Sequence, residues 1–266
     1  MTDHGRRATV PWTLAVPGAL AVALLVLPLL ALVVRTPWSR LGEVVTDPQV
    51  RQALGLSLGT ATVSTLLCLL LGVPLAWLLA RTSLPGRRVV RALVTVPLVL
   101  PPVVGGVALL LLLGRNGLLG RPLDVWLGVT VPFSTAAVVL AQTFVALPFL
   151  VVSVEGALRT LDGRLEDAAA TLGASRAFTF RHVTLPLVVP GLAAGAVLCF
   201  ARALGEFGAT ITFAGSLPGT TRTTPVAVYL FLETDPDAAV VLSLVLLAVS
   251  VTVLLLLRER WWAVGR

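Results

Sequence analysis

The sequence predicts an all-α integral membrane protein with six transmembrane helices. Three observations predict it. Hydrophobic residues make up 57% of the chain and charged residues only 12%, more apolar surface than a soluble domain can hide. The apolar residues gather into repeated runs of about 20, the length that crosses a bilayer as a helix. Arginine is distributed unevenly over the loops between those runs: 13 fall on one alternate set, 6 on the other, and Arg202 lies inside a run. Such a bias sets orientation, with the arginine-rich side cytoplasmic.

The elements follow in order. Residues 1–11 form a short polar tail with Arg6 and Arg7. The first span runs from about Trp12 to Val34. It is too long for a signal-peptide core and lacks a small-x-small exit, so it reads as uncleaved. Pro17 and Pro28 kink it without excluding it from a membrane. A mixed-charge loop, Arg35 to Arg51, leads to the second span, about Leu54 to Leu79, whose glycines and hydroxyl residues suit close helix packing. A basic turn follows around Pro85-Gly86.

The third span, about Val94 to Leu113, opens VPLVLPPVVGG. Pro97, Pro101, Pro102, Gly105 and Gly106 forbid a straight helix, and broken backbone at membrane depth must be buried in protein or line a cavity. Either a kinked packing helix or a pathway wall answers to this. The fourth span runs from about Phe133 to Val154, the fifth from Leu187 to Phe207, the sixth from Ala238 to Leu257. Gly208 to Asp237 is a Thr-, Gly- and Pro-rich segment with room for a short re-entrant or surface helix at Val226–Leu232. The closing RERWWAVGR places Trp261 and Trp262 at a membrane interface.

Residue chemistry excludes several functions. All 20 basic residues are arginine, so the chain has neither a P-loop lysine nor a Schiff-base lysine. Cys68 and Cys199 sit in separate apolar runs and read as small buried hydrophobes. His4 and His182 are isolated, which leaves no metal cluster. The net charge of +7 follows membrane topology and does not imply nucleic acid. No nucleophile–base set marks a membrane enzyme. An ATP-independent secondary transporter stays an alternative, with no internal repeat to favour it.

Arg202 and Glu206, four apart in the fifth span, share one helix face. Ionisable residues in a span are costly and face a bundle interior or a wet cavity. A structural ion pair and a gate that re-partners between states are the two readings. The position of Glu206 near the outer end favours the gate, with Pro101 and Pro102 on the same pathway.

One polar stretch carries a fixed pattern. DGRLEDAAATLGASRAFTFRHVTLP, Asp162 to Pro186, has an acid at Asp167, Ala168-Ala169, Gly173, and then nine residues to Val183-Thr184-Leu185-Pro186. Asp162 is placed to cap a first helix and Glu166 and Asp167 to favour its positive end. Gly173 is placed for a left-handed C-terminal residue, Ser175 to cap a second helix, and Pro186 near that helix's end.

This pattern resembles the EAA loop of ABC importer permeases, with Asp167 where the motif has Glu. LPLVLPPVVGG, ARALGEFGATITFAG (201–215) and PGTTRTTPVAVYLFLE (218–233) are similar to the molybdate and sulfate branch, the last two nearest to the molybdate permeases. The resemblance implies a type I importer permease fold. Its core spans 51–257, with residues 1–50 as tail, first helix and outer loop, and 258–266 as a cytoplasmic tail. It also implies that Glu166, Asp167, Ala168, Ala169, Gly173, Leu185 and Pro186 couple to an ATPase subunit dimer. That partner would carry the ATP-Mg, and this chain no cofactor. A second copy of the chain and an extracytoplasmic oxyanion-binding protein complete the assembly, with Arg222 a docking candidate for the latter. The expected setting is a bacterial or archaeal plasma membrane with both termini cytoplasmic. Sulfate, thiosulfate and tungstate are the alternative cargoes.

Overall fold

A computed structural model describes residues 11–83 and 85–263, without the side chains of 254 and 256–263. Arg6, Arg7 and Arg266 therefore lie outside the described residues, as do the side chains of Arg258, Arg260, Trp261 and Trp262.

Among the described residues the chain is helical. α1 (Trp12–Arg35), a short turn at Trp38–Arg40, α2 (Leu41–Thr46) and α3 (Pro48–Arg81) open it. α4 (Arg87–Val99), α5 (Pro102–Leu113), α6 (Gly120–Leu127) and α7 (Thr135–Thr160) follow. α8 (Gly163–Thr171), α9 (Arg176–Thr179), α10 (Leu185–Leu204), α11 (Gly208–Phe213), α12 (Thr224–Thr234) and α13 (Pro236–Ala263) complete it. Five helical stretches are long and apolar enough to cross a membrane, and the bent pair α4–α5 brings the number to six.

The centre is a three-helix core of α3, α7 and α10. α3 begins where Asp47 accepts hydrogen bonds from the N–H groups of Gln49 and Val50, with Pro48 in the first turn, a position that needs no donor. Its buried face is a stripe of small residues, Ala53, Ser57, Ala61, Ser64, Cys68, Gly72 and Ala76, spaced three or four apart. In lipid, helices gain little from hiding apolar surface from each other, so close backbone approach and interhelical hydrogen bonds hold them. The Ser64 hydroxyl supplies one such bond, donating to the Val139 carbonyl of α7 at 3.0 Å. Cys68 and Cys199 are buried free thiols. Both lie in the α3–α7–α10 core, where the Cys68 thiol donates to the Thr143 carbonyl of α7 at 3.7 Å.

Two satellites flank the core. One joins α5, α11 and the first half of α7. The other joins α2, α12, α13 and the start of α3. In the second, the Arg40 guanidinium grips Asp235 at 2.8 and 2.9 Å. Those hydrogen bonds, with one from the Ala238 N–H, hold the Asp235 carboxyl down to about 2. The same contact raises the Arg40 guanidinium further above its ordinary range. α1 buries none of its residues within this chain.

Two expectations change. The third span is not one kinked helix: α4 and α5 meet at 118° across Leu100-Pro101, because Pro101 and Pro102 deny two successive backbone donors and push the preceding residue out of helical geometry. Nor does Pro186 end a helix. The chain runs from α9 through a π-helical stretch, Phe180–Thr184, into α10. The Leu185 N–H reaches back to the Phe180 carbonyl. This wider turn gives the Pro186 ring room where a regular turn would drive it against the carbonyl four residues back.

Candidate functional site: a polar elbow and a broken-helix wall

The elbow lies between α7 and α10. The Asp162 carboxylate accepts from the Arg164 N–H at 3.0 Å and starts α8. α8 closes with the Gly173 N–H bonded to the Ala170 carbonyl and the Ala174 N–H to the Ala169 carbonyl, both at 3.0 Å. Gly173 has φ of +80°. This is a Schellman closure, whose left-handed residue is glycine because a Cβ is strained there. The Ser175 hydroxyl then accepts from the Phe178 N–H at 3.3 Å and starts α9. All three local expectations for this stretch hold.

The two acids of α8 part company. Asp167 is exposed with Ala168, whereas Ala169 is half-buried. Glu166 turns inward: it pairs with Arg81 at the end of α3 at 3.1 Å and accepts from the Thr184 hydroxyl at 2.6 Å. Leu165, Leu172 and Phe178 stay exposed, Leu172 at 87%. Ala169, Leu172, Gly173, Ala174, Ser175 and Phe178 line an open depression of about 450 Å³. Leu185 and Pro186 do not line it; they open α10, both exposed.

Next to the elbow is a cluster that the sequence reading missed. Glu155 of α7 is buried and takes two arginines, Arg91 of α4 through its Nε at 3.1 Å and Arg159 at 2.9 Å. The available signal was Glu155-x₃-Arg159 at helical i,i+4 spacing. The partner from α4 was not legible, because a 64-residue separation hides it.

The wall lies at the other end of the core. α10 ends at Leu204, and Glu206, 1% exposed, pairs with Arg202. Its Oε1 also accepts from the Ala209 N–H at 2.7 Å, so one carboxylate neutralises a charge and caps the next helix. α11 then packs on the broken third span. A Cβ at Gly208 would stand 3.0 Å from Pro102 Cβ and 3.1 Å from the Val103 nitrogen. A Cβ at Gly106 would stand 2.9 Å from the Ala209 carbonyl oxygen. The PPVVGG and GEFGAT stretches, singled out separately in the sequence, therefore form one contact. Arg222 is half-buried in its own loop, its Nε donating to the Ser216 hydroxyl at 3.1 Å.

A membrane bundle with a closed polar elbow at one end and apposed broken segments at the other is the architecture of a transport permease. Comparison with known proteins makes the assignment specific. Residues 72–262 match the family described as binding-protein-dependent transport system inner membrane component, and the chain belongs to that family. The molybdenum transport system permease protein ModB of Mycobacterium tuberculosis is 53% identical over 90% of both chains. That of Escherichia coli K12 is 42% identical over 83% of this chain and 96% of its own. The sulfate transport system permease protein CysT of Salmonella typhimurium is 38% identical over 84% and 82%. Among solved structures, a bacterial ABC transporter that imports alginate superposes with a TM-score of 0.78 at 17% identity over 96% of each chain. The MetNI methionine ABC transporter gives 0.63 at 21% identity over 82% and 96%. The all-α, type I importer permease fold and the multi-pass membrane character follow.

Proposed function

We propose that this chain is the permease subunit of an ATP-driven importer whose cargo is molybdate, handed over by an extracytoplasmic binding protein. The observation that carries the cargo is the 53% identity, over 90% of both chains, to the Mycobacterium tuberculosis molybdenum permease, against 38% to the Salmonella sulfate permease. Two copies of the chain pair in the plasma membrane, with both termini and the elbow cytoplasmic, as the arginine bias favours.

The elbow is the ATPase docking element. Asp167 and Ala168 present an exposed small-residue face, and Leu165, Leu172 and Phe178 present apolar surface outside the membrane core. Exposed apolar patches with a polar rim are docking surfaces. Gly173 fixes the angle between α8 and α9. ATP and its magnesium bind the partner subunits and draw the two elbows together, opening the pathway outward, and hydrolysis resets it. This chain performs no bond chemistry.

Pro101, Pro102, Arg202 and Glu206 form the pathway wall. The Arg202 side chain is 25% exposed and paired with the buried Glu206, an arrangement that suits re-pairing with a passing dianion. Arg222 and its threonine-rich loop form the outer surface that meets the binding protein.

The test is ATP hydrolysis by the purified complex in lipid, with the binding protein loaded in turn with molybdate, tungstate or sulfate. Stimulation by molybdate and not by sulfate is expected. Stimulation by sulfate alone would transfer the cargo to the sulfate branch, and absence of any co-purifying ATPase would overturn the importer reading.

A further inference from the structure

We propose that Glu166 is the positioning residue that carries movement of the coupling helix into two transmembrane helices at once, with the π-helical stretch Phe180–Thr184 as the hinge. The proposal rests on the importer reading and deepens it.

The first observation is an anomaly in hydroxyl bonding. Thr60, Thr62, Thr65, Thr143 and Thr212 each donate to the carbonyl four residues back in their own helix, the usual outlet for a threonine in a membrane helix. Thr184 does not. It is 2% exposed, and its hydroxyl donates to the Glu166 carboxylate at 2.6 Å, 18 residues away on α8. A hydrogen bond to a charged acceptor is about twice as strong as a neutral one.

The second observation is that the same carboxylate holds Arg81, the last residue of α3, at 3.1 Å. One turn earlier on α3, Trp77 meets the edge of Phe180 with ring centroids 5.4 Å apart. α3 is thus fixed to the π stretch through both an aromatic contact and the Glu166 junction. Among the described residues Asp167 makes no such tie, so the two neighbouring acids divide the work: one faces outward and the other links elements within the chain.

The third observation is space. Beside the π stretch lies a half-open apolar pocket of about 530 Å³ bordered by Val73, Pro74, Trp77, Phe180, Leu185 and Val188. A wide turn that borders such a pocket can change its winding without forcing side chains through a packed core. Displacement of α8 then pulls Thr184 and Arg81 together, so that α10 and α3 move as a unit.

The experiment uses the assembled complex in lipid vesicles and measures oxyanion uptake per ATP hydrolysed. Glu166→Gln and the near-isosteric Thr184→Val are expected to keep the ATPase bound and hydrolysing while uptake per ATP falls about tenfold, the effect of losing one charge-assisted hydrogen bond from the moving unit. Thr184→Ser is expected to restore it. Spin labels at Arg164 and Leu78 give an independent readout. Their separation should stay constant through the nucleotide cycle in the unmodified pairing and vary in Glu166→Gln. Loss of the ATPase from the Glu166→Gln complex would make this carboxylate a partner contact and overturn the proposal, as would unchanged uptake per ATP in both variants. A wild-type chain that binds no ATPase would instead sink the importer reading itself.

Discussion

Gly106→Ala is a severe test of the broken-helix wall. A methyl at this position would lie 2.8 Å from Thr212 Cβ, 2.9 Å from the Ala209 carbonyl oxygen and 3.0 Å from Ala209 Cα. Two of those atoms are backbone and cannot rotate away. Restoring ordinary contact near 3.5 Å requires α5 and α11 to separate by roughly half an ångström. Overpacking of this kind costs about 1–3 kcal/mol, and a chain of this size loses about 2–4 °C of Tm per kcal/mol. Gly59 of α3 is the matched control, because nothing lies within 4 Å of its Cβ position and alanine favours a helix by about 1 kcal/mol. Thermal unfolding of the two variants in one detergent is the assay. Gly106→Ala should melt several degrees below the parent and Gly59→Ala at or above it. Equal melting temperatures would refute the close apposition of the two segments. An equal loss in both would mean that the effect arises from glycine replacement in a membrane helix and not from this contact.

Other predictions follow from single geometries. Gly173→Pro should leave the chain inserted yet abolish uptake, because proline removes the N–H bonded to Ala170 and cannot adopt a φ of +80°; normal uptake would remove the elbow from the mechanism. Glu206→Gln keeps an acceptor for the Ala209 N–H but leaves Arg202 without its counter-charge, and should raise transport-uncoupled ATP hydrolysis. Glu206→Ala also loses the cap and should be about 1 kcal/mol less stable than Glu206→Gln in a melting comparison; equal stabilities would deny the cap. The Arg40–Asp235 clamp has a pH signature. Asp235 has its carboxyl depressed from 3.8 to about 2, so its contribution is complete above about pH 4 and is lost as pH falls through about 2. An Asp235→Asn variant should lack that segment of the acid-stability curve.

The sequence was most informative where physics is local. Helix length, apolar runs and arginine bias act through the bilayer and need no tertiary partner, so the spans and their number were legible. The elbow was equally legible, since caps and a left-handed glycine depend on five or six neighbouring residues. Contacts across the fold were not. Nothing in the order of residues says that Glu166 and not Asp167 turns inward, because the choice depends on where Arg81 and Thr184 stand after α3 and α10 have packed. Pro186 misled for a related reason: the rule that proline ends a helix assumes a regular turn before it, and the π stretch supplies a different one. Glu155 was passed over because its second arginine comes from α4, beyond a break whose angle the sequence leaves open.

The division between the two kinds of packing bears on how such a chain can move. α3, α7 and α10 meet through small side chains at close range, an arrangement that resists bending because interdigitated cores have few intermediate states. α5 and α11 are short, sit beyond proline or glycine breaks, and touch chiefly each other and the first half of α7. The breaks that set them off lie at Leu100-Pro101 and at Gly205–Phe207. Glu206 occupies the second break and is bonded on both sides, to Arg202 before it and to the Ala209 N–H after it. A rotation of α11 away from α5 must stretch one of those bonds. The cost falls on a carboxylate with almost no exposure to water, where an unmatched charge is most expensive. The observed junction of α10 and α11 is therefore costly to separate unless Arg202 finds another anionic partner.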